Sequence, residues 1–242
     1  MLAQTSILTL KQGSFRLQFF GYPDGNSLVK PLPVDVKHPT YIKQKLYVSI
    51  KNDKNPFKKG VWLSPLRAFD LYFFLQKFFL GEEAKPVSIV DEDSVLRFYV
   101  DSEKGSLFMG VESGQGENRW SGRVRFDHEE VIAFMSFLKT FAIFGLFVSG
   151  QDETVLFQKW GMDYLIVYPI TVSIPDSKRI KAIEFLNNFK QGKYEELKPV
   201  IFKDLYAFKY VPEEGIFLTA PTENIRIDNH LIEKFLLFFS AV

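Results

Sequence analysis

Apolar and polar residues alternate along short stretches of this chain, and each series of such stretches ends in a segment of helical periodicity. Four of these strand-to-helix junctions can be recognised: Val61–Pro65, Val124–Asp127, Val172–Asp176 and Ile225–Asp228. Apolar residues two positions apart place one face of a strand on a core. The pattern therefore predicts a final strand followed by a helix, four times along the chain.

Each junction is followed by the same pattern, Phe-Leu-x-x-Phe, at Phe74–Phe78, Phe137–Phe141, Phe185–Phe189 and Phe235–Phe239. Two Phe residues four positions apart lie on one side of a helix and are expected to face a sheet. From the first strand residue to the first Phe is 13 residues in three copies and 10 in the last. This spacing predicts a last helix that is one turn shorter.

Residues suited to the start of a helix stand at three of the junctions. Ser64, Asp127 and Asp228 are predicted N-caps, since their side chains accept hydrogen bonds from the free N–H groups of a first turn. Glu130, three residues after Asp127, completes a predicted capping box.

These features indicate an α+β fold made of four tandem strand-rich units, each of three or four antiparallel strands ending in a helix, a ββββα-like plan. Such a unit cannot cover both sides of its helix, so the units are predicted to pair, helix against helix, beneath the sheets. Residues 1–150 are predicted to hold the first pair and residues 151–242 the second.

Composition and charge narrow the function classes. The chain has 26 Phe, which indicates large aromatic cores or interfaces, and no Cys, which excludes disulfides and thiol nucleophiles. The absence of Cys fits a cytoplasmic location, which is the expectation. The net charge is +1, so any nucleic-acid site must be a local patch.

The apolar stretch 131–149 has the length of a membrane span, but Lys139 and Gly145 interrupt it. A buried helix running into a buried strand is the preferred interpretation, and no membrane partner is expected.

Catalytic patterns are not found. The three His residues are not at ligand spacing, and Gly110–Gly116 precedes a strand, which favours a hairpin tip over a phosphate loop. The acidic groups Asp91–Asp93 and Asp152–Glu153 are interpreted as solvated turns rather than cation sites. We therefore expect a non-enzymatic protein with no cofactor and no metal, while a catalytic site without a recognisable motif stays open.

Alternation along the predicted strands places cations beside Tyr rings on the faces away from the core. The candidate nucleic-acid-binding residues are Lys43, Lys45, Tyr47, Lys51, Arg97, Tyr99, Arg119, Arg123 and Arg125. Later strands add Lys159, Tyr164, Tyr168, Tyr206, Lys209 and Tyr210 in a less basic setting. Cations that follow a phosphate backbone, with rings on which bases stack, suit single-stranded nucleic acid. The alternative is that these residues only keep exposed strands soluble.

The stretch Phe98–Val111 resembles a repeat of the Pur-alpha proteins: a short aromatic strand, a charged turn with Gly, and an apolar strand. Repeated ββββα units are also the plan of the Whirly and transcriptional positive-coactivator proteins. The resemblance implies binding of single-stranded DNA or RNA on sheet surfaces, here through Lys45, Tyr47, Lys51, Arg97, Tyr99, Arg123 and Arg125. This chain departs from those families in its neutral net charge and its four units.

The first hypothesis is therefore a protein that binds single-stranded DNA or RNA and that can form homo-oligomers. The second is a structural or protein-interaction protein with aromatic helix interfaces. A ring resembling a sliding clamp is a third idea, but its helices would need basic faces, and the segment Leu66–Leu80 offers only Arg67 and Lys77.

Overall fold

The computed structural model describes residues 5–12, 15–21, 44–50, 57–91, 94–101, 105–113, 120–141, 144–160, 163–168, 172–203 and 206–240, and it describes side chains only beyond Trp62. Within these ranges the chain forms four antiparallel sheets of four strands, each followed by one helix. It divides into two compact units, and the described residues up to Phe141 belong to the first and those from Phe144 onward to the second.

The N-terminal unit contains two sheets with strands in sequence order. The first sheet is β1 (Thr5–Gln12), β2 (Phe15–Gly21), β3 (Gln44–Ile50) and β4 (Phe57–Leu63), followed by α1 (Pro65–Phe79). The second sheet is β5 (Val87–Asp91), β6 (Ser94–Asp101), β7 (Ser106–Ser113) and β8 (Trp120–Phe126), followed by α2 (His128–Phe141). The two helices contact each other, α1 contacts β5 and α2 contacts β1.

The C-terminal unit repeats this arrangement. The third sheet is β9 (Phe144–Ser149), β10 (Thr154–Trp160), β11 (Asp163–Tyr168) and β12 (Val172–Ile174), followed by α3 (Asp176–Lys190). After a 3₁₀ turn at Tyr194–Glu196, the fourth sheet is β13 (Val200–Lys203), β14 (Tyr206–Val211), β15 (Gly215–Thr219) and β16 (Asn224–Ile227), followed by α4 (Asn229–Ser240). Helix α3 contacts α4 and β13, and α4 contacts β9.

Three of the four helices begin at the predicted caps. The Ser64 hydroxyl accepts from the Arg67 N–H at 3.3 Å, and the Asp228 carboxylate accepts from the Leu231 N–H at 2.7 Å. At α2 the capping box is reciprocal: the Glu130 N–H donates to Asp127 at 2.8 Å, and the Asp127 N–H donates to Glu130 at 2.9 Å. Helix α3 begins after Pro175 without a side-chain cap.

The Phe of the repeated pattern anchor each helix in the core. The first Phe of each copy is buried, at Phe74, Phe137, Phe185 and Phe235. In the C-terminal unit the Phe235 ring lies 5.0 Å from the rings of both Phe157 on β10 and Phe208 on β14. Helix α4 therefore packs against both sheets of its unit.

The element predictions hold in several specific places. Helix α4 has 12 residues where α1 and α3 each have 15, as the shorter spacing predicted. The apolar stretch 131–149 is a helix, α2, followed by a strand, β9. No helix among the described residues is long and apolar enough to cross a membrane. Strand β9 pairs with β10 and belongs to the C-terminal unit, although the predicted boundary followed residue 150.

Candidate functional site

The second sheet separates core residues from outward residues most clearly on β6 and on the edge strand β8. On β6, Leu96 and Phe98 are buried, while Arg97 is exposed and Tyr99 is half-buried. On β8, Arg123 and Arg125 are exposed and alternate with buried Val124 and Phe126. Because side chains of a strand alternate between its two faces, the Arg and Tyr side chains share the face opposite the core. We call this the outer face of the second sheet.

The strand register arranges this outer face in two adjacent rows. One row runs Ser88, Arg97, Gly110 and Arg123 across β5 to β8. The next row runs Tyr99, Phe108 and Arg125 across β6 to β8. Directly opposed residues have Cβ atoms about 4.5–5.5 Å apart. Three guanidinium groups are thus spread over a face that also carries two aromatic rings.

A groove of about 750 Å³ lies on this outer face, lined by Ser88, Arg97, Tyr99, Gly110, Glu112 and Arg123 among others. Gly110 lines the groove and stands between the two Arg residues of its row. A Cβ atom at this position would stand 3.4 Å from Cε1 of Tyr99. The absence of a side chain at Gly110 therefore keeps the groove open between Arg97 and Arg123.

Ring contacts fix the aromatic side of the groove. The Tyr99 and Phe108 rings are stacked with centroids 6.0 Å apart, and the Arg123 guanidinium lies 5.3 Å from the centre of the Phe108 ring. A cation held over a ring loses part of its freedom before any ligand arrives. Phe108 is buried, with 8% of its surface exposed, so the geometry offers the half-buried Tyr99 ring for stacking, next to a cation held over Phe108.

The charges on the outer face are mostly positive. Among the described residues Arg97 forms no ion pair. Among the side chains that the structure describes on this face, one is a carboxylate: Glu112 is exposed on β7, two residues from Gly110 and diagonal to Arg123. The face thus favours an anion near Arg97, Arg123 and Arg125, with Glu112 opposing it on one side.

The predicted site residues fall into three groups. Arg97, Tyr99, Arg123 and Arg125 lie together on the outer face just described. Lys45 and Tyr47 lie in β3, where they pair with Phe20 and Trp62 and with Gln18 and Gly60, respectively. Lys43, Lys51 and Arg119 lie outside the described residues.

Three residues added from later strands face the core instead of the surface. Lys159, Tyr164 and Tyr206 are each only 2% exposed. The Lys159 ammonium lies 5.8 Å from the centre of the Phe144 ring. Every residue from Val155 to Lys159 is buried, so both faces of β10 are covered and alternation leaves neither of them exposed. These three residues are corrected to core residues.

Two residues of the candidate site, Gly110 and Phe108, were not predicted from the sequence. Gly110 was predicted both as part of the apolar strand that ends at Val111 and as the start of a hairpin tip, and it lies inside β7. Phe108 was counted only as part of an apolar strand, although it forms the centre of the outer row. Phe108 lies in a run of three apolar residues, Leu107–Met109, which contains no alternation that would assign it to the outer face.

The prediction that Asp152–Glu153 is a solvated turn is wrong for Glu153. Its side chain is buried, and its carboxylate accepts from the Thr222 N–H at 2.9 Å and the Thr222 hydroxyl at 2.6 Å. In return the Glu223 carboxylate accepts from the N–H groups of Gln151, Asp152 and Glu153 at 3.1, 3.1 and 2.7 Å. The β9–β10 and β15–β16 turns are thus joined by exchanged carboxylates, which is a structural role.

The hydrogen bonds also set the ionisation of Glu223. Partial desolvation acts to raise the pKa of this carboxyl, but the three N–H donors outweigh it and hold the pKa below its usual 4.5. At neutral pH the carboxylate is therefore charged and bonded.

Comparison of the whole chain with protein-family models, with curated proteins and with solved structures finds no match.

Proposed function

We propose that the protein binds single-stranded DNA or RNA on the outer face of the second sheet. The observation that carries the proposal is the pair of neighbouring rows, with Arg97 and Arg123 on either side of Gly110 and with Tyr99, Phe108 and Arg125 beside them. No enzymatic step is part of this proposal.

The chemistry of the two rows suits a polynucleotide better than a simple anion. Guanidinium groups donate several hydrogen bonds to phosphate oxygens, and aromatic rings stack on bases of any sequence. Stacking contributes about 1–3 kcal/mol per base. A duplex hides its base faces, so a surface that relies on Tyr99 should prefer single strands.

We further infer that the four copies act as two helix-paired modules. The contact of α1 with β5 and of α2 with β1 is matched by the contacts of α3 with β13 and of α4 with β9. In each unit, a helix thus reaches the first strand of the neighbouring copy. This arrangement directs the helices inward, and the opposite faces of the second and fourth sheets carry exposed cations.

The test measures fluorescence anisotropy of a labelled oligothymidylate with the wild type, Arg97→Ala, Tyr99→Ala and Tyr99→Phe. For single strands each phosphate contact contributes about eightfold in affinity between 1 M and 50 mM salt, so Arg97→Ala should weaken low-salt binding by about that factor. Loss of one stacked base at about 1–3 kcal/mol predicts that Tyr99→Ala weakens binding by roughly 5- to 150-fold. Tyr99→Phe keeps the ring and should bind as the wild type.

Arg67→Ala is the matched control, since it removes an exposed cation on α1 whose ion pair with Asp70 contributes little. This variant should bind as the wild type. Equal loss for Arg67→Ala and Arg97→Ala would contradict a site on the outer face, and so would equal affinity for single-stranded and duplex DNA.

An interaction protein is the second candidate, and an apolar patch in the N-terminal unit favours it. Phe79 and Leu80 at the end of α1 are 41% and 58% exposed, and Ile132 on α2 is 46% exposed. The Phe79 ring stacks on His128 at 5.0 Å, one turn before Ile132. If a protein partner binds this patch, Leu80→Glu should abolish self-association or capture of the partner. In that case no variant should bind the oligonucleotide.

A further inference from the structure

The fourth sheet carries a cation, a ring and a second cation in one outward row. Lys209 on β14 pairs with Phe217 on β15, and Phe217 pairs with Arg226 on β16. Lys209 and Arg226 are exposed, and Phe217 is half-buried.

Alternation shows that all three side chains lie on the face opposite the core. Arg226 stands between buried Ile225 and Ile227, and Phe217 stands between buried Ile216 and Leu218. Lys209 follows Phe208, which is fully buried. Since adjacent residues point to opposite sides of a sheet, the row faces away from the helices.

This row occupies the same place in its copy as the row of Tyr99, Phe108 and Arg125. Arg125 and Arg226 each stand two residues before the N-cap Asp of the following helix, and each pairs with a Phe on the third strand of its sheet. In the third sheet the matching row is Gln158, Leu165 and Ser173, which has neither a cation nor an aromatic ring.

The charge on one side of the row is complementary to an anion, while the β14–β15 turn on the other side carries the exposed Glu213 and Glu214. The next row across β14 to β16 is Ala207, Thr219 and Asn224, which has no charge, and Lys203 on β13 adds an exposed cation. Among the described residues Lys209 and Arg226 form no ion pair. A ring between two unpaired cations suits an anion that carries a flat aromatic group, because phosphate oxygens meet the cations while a base covers the ring.

We propose that Lys209, Phe217 and Arg226 form a second single-stranded nucleic-acid contact, in the C-terminal unit. This inference rests on the proposed function of the second sheet but concerns a separate surface.

The experiment counts bound copies of a short labelled oligothymidylate of about four nucleotides, the lower end of the length that one sheet surface binds. Native mass spectrometry of the full chain at low salt gives the number bound. The wild type should bind two, and Lys209→Ala with Arg226→Ala should bind one. Arg97→Ala with Arg123→Ala should also bind one. Lys181→Ala with Lys190→Ala removes two exposed cations of α3 and is the matched control, which should bind two.

The outcomes separate this inference from the proposed function. The wild type could instead bind a single copy that is kept in Lys209→Ala with Arg226→Ala and lost in Arg97→Ala with Arg123→Ala. This result would overturn the contact on the fourth sheet and leave the contact on the second sheet. No copy on the wild type would overturn both. Phe217→Leu keeps the apolar bulk but removes the ring, so it should bind one copy. If Phe217→Leu binds two copies, the ring does not contribute and the inference fails. It also fails if polyglutamate displaces the oligonucleotide from this surface as well as unlabelled oligonucleotide does, because the surface is then a site for acidic proteins.

Discussion

In the C-terminal unit, the contact between the β9–β10 and β15–β16 turns depends on Gly150 and on the carboxylates of Glu153 and Glu223. A Cβ atom at Gly150 would overlap the Glu223 carboxylate, so the residue must be Gly for that carboxylate to reach the three N–H groups of residues 151–153. Glu223 is 72 residues from Gln151 in the chain, which is why local sequence patterns did not reveal the contact.

Replacing Glu223 by Gln should lower the free energy of unfolding at neutral pH. Because folding lowers the pKa of Glu223, the native state holds fewer protons than the unfolded state, and stability falls as pH decreases. The contribution is complete above the usual value of 4.5 and disappears as pH falls through the lowered folded pKa. Denaturant unfolding at several pH values should therefore show that the wild type has a higher free energy of unfolding than Glu223→Gln, and that this difference decreases below about pH 4.5.

Gly150→Ala provides the control through a double-mutant cycle. The substitution should destabilise the wild type and should cost much less in a Glu223→Ala background, because the displaced carboxylate is then missing. The difference in free energy of unfolding between the wild type and Glu223→Gln could stay constant from neutral to acidic pH, or the effects of Gly150→Ala and Glu223→Ala could be additive. Either result would contradict a stabilising role of the exchanged carboxylates.

The helices are the elements that the sequence specifies most completely. Their caps are local, since Asp127 and Glu130 bond only across three residues, and their Phe are four positions apart. Both signals can be recognised without knowledge of the sheets. Alternation likewise placed Arg97 and Tyr99 on the outward face of β6 and Arg123 and Arg125 on that of β8.

The register between strands is the part that local pattern does not determine. Gly110 stands between Arg97 and Arg123 because of the register of β6, β7 and β8, which depends on the conformations of the intervening turns. The candidate site was therefore predicted residue by residue, but its rows and its groove were not. Lys159 was predicted to face outward because Lys rarely faces a core, whereas β10 is buried on both faces from Val155 to Lys159.

Replacing Phe235 by Ala tests whether the repeated pattern anchors the fold. The ring is fully buried and lies 5.0 Å from the rings of Phe157 and Phe208, so its removal leaves a cavity shared by two sheets. Loss of a buried Phe should lower the free energy of unfolding of the C-terminal unit by about 3–5 kcal/mol. Denaturant unfolding measures this change.

Ile180→Ala is the matched control on α3, because Ile180 is 48% exposed, and it should cost under about 1 kcal/mol. If Phe235→Ala costs no more than Ile180→Ala, the Phe-Leu-x-x-Phe pattern does not hold α4 between its sheets.

At the scale of the whole molecule, the charge is nearly balanced, with 30 Lys and Arg against 29 Asp and Glu. General attraction to polyanions is therefore weak, and binding must come from the local arrangement of cations on sheet faces. The alternation of core and outer residues concentrates three Arg on one face of the second sheet while the helices take the opposite face.

The salt dependence of oligothymidylate binding by the wild type and by a variant with Gln at positions 97, 123 and 125 tests this account most directly. For single strands the slope of log affinity against log salt changes by about 0.7 for each phosphate contact, so loss of the three Arg should make the slope shallower by about 2. A wild-type slope near zero, or the same slope in both proteins, would contradict binding on the outer face of the second sheet.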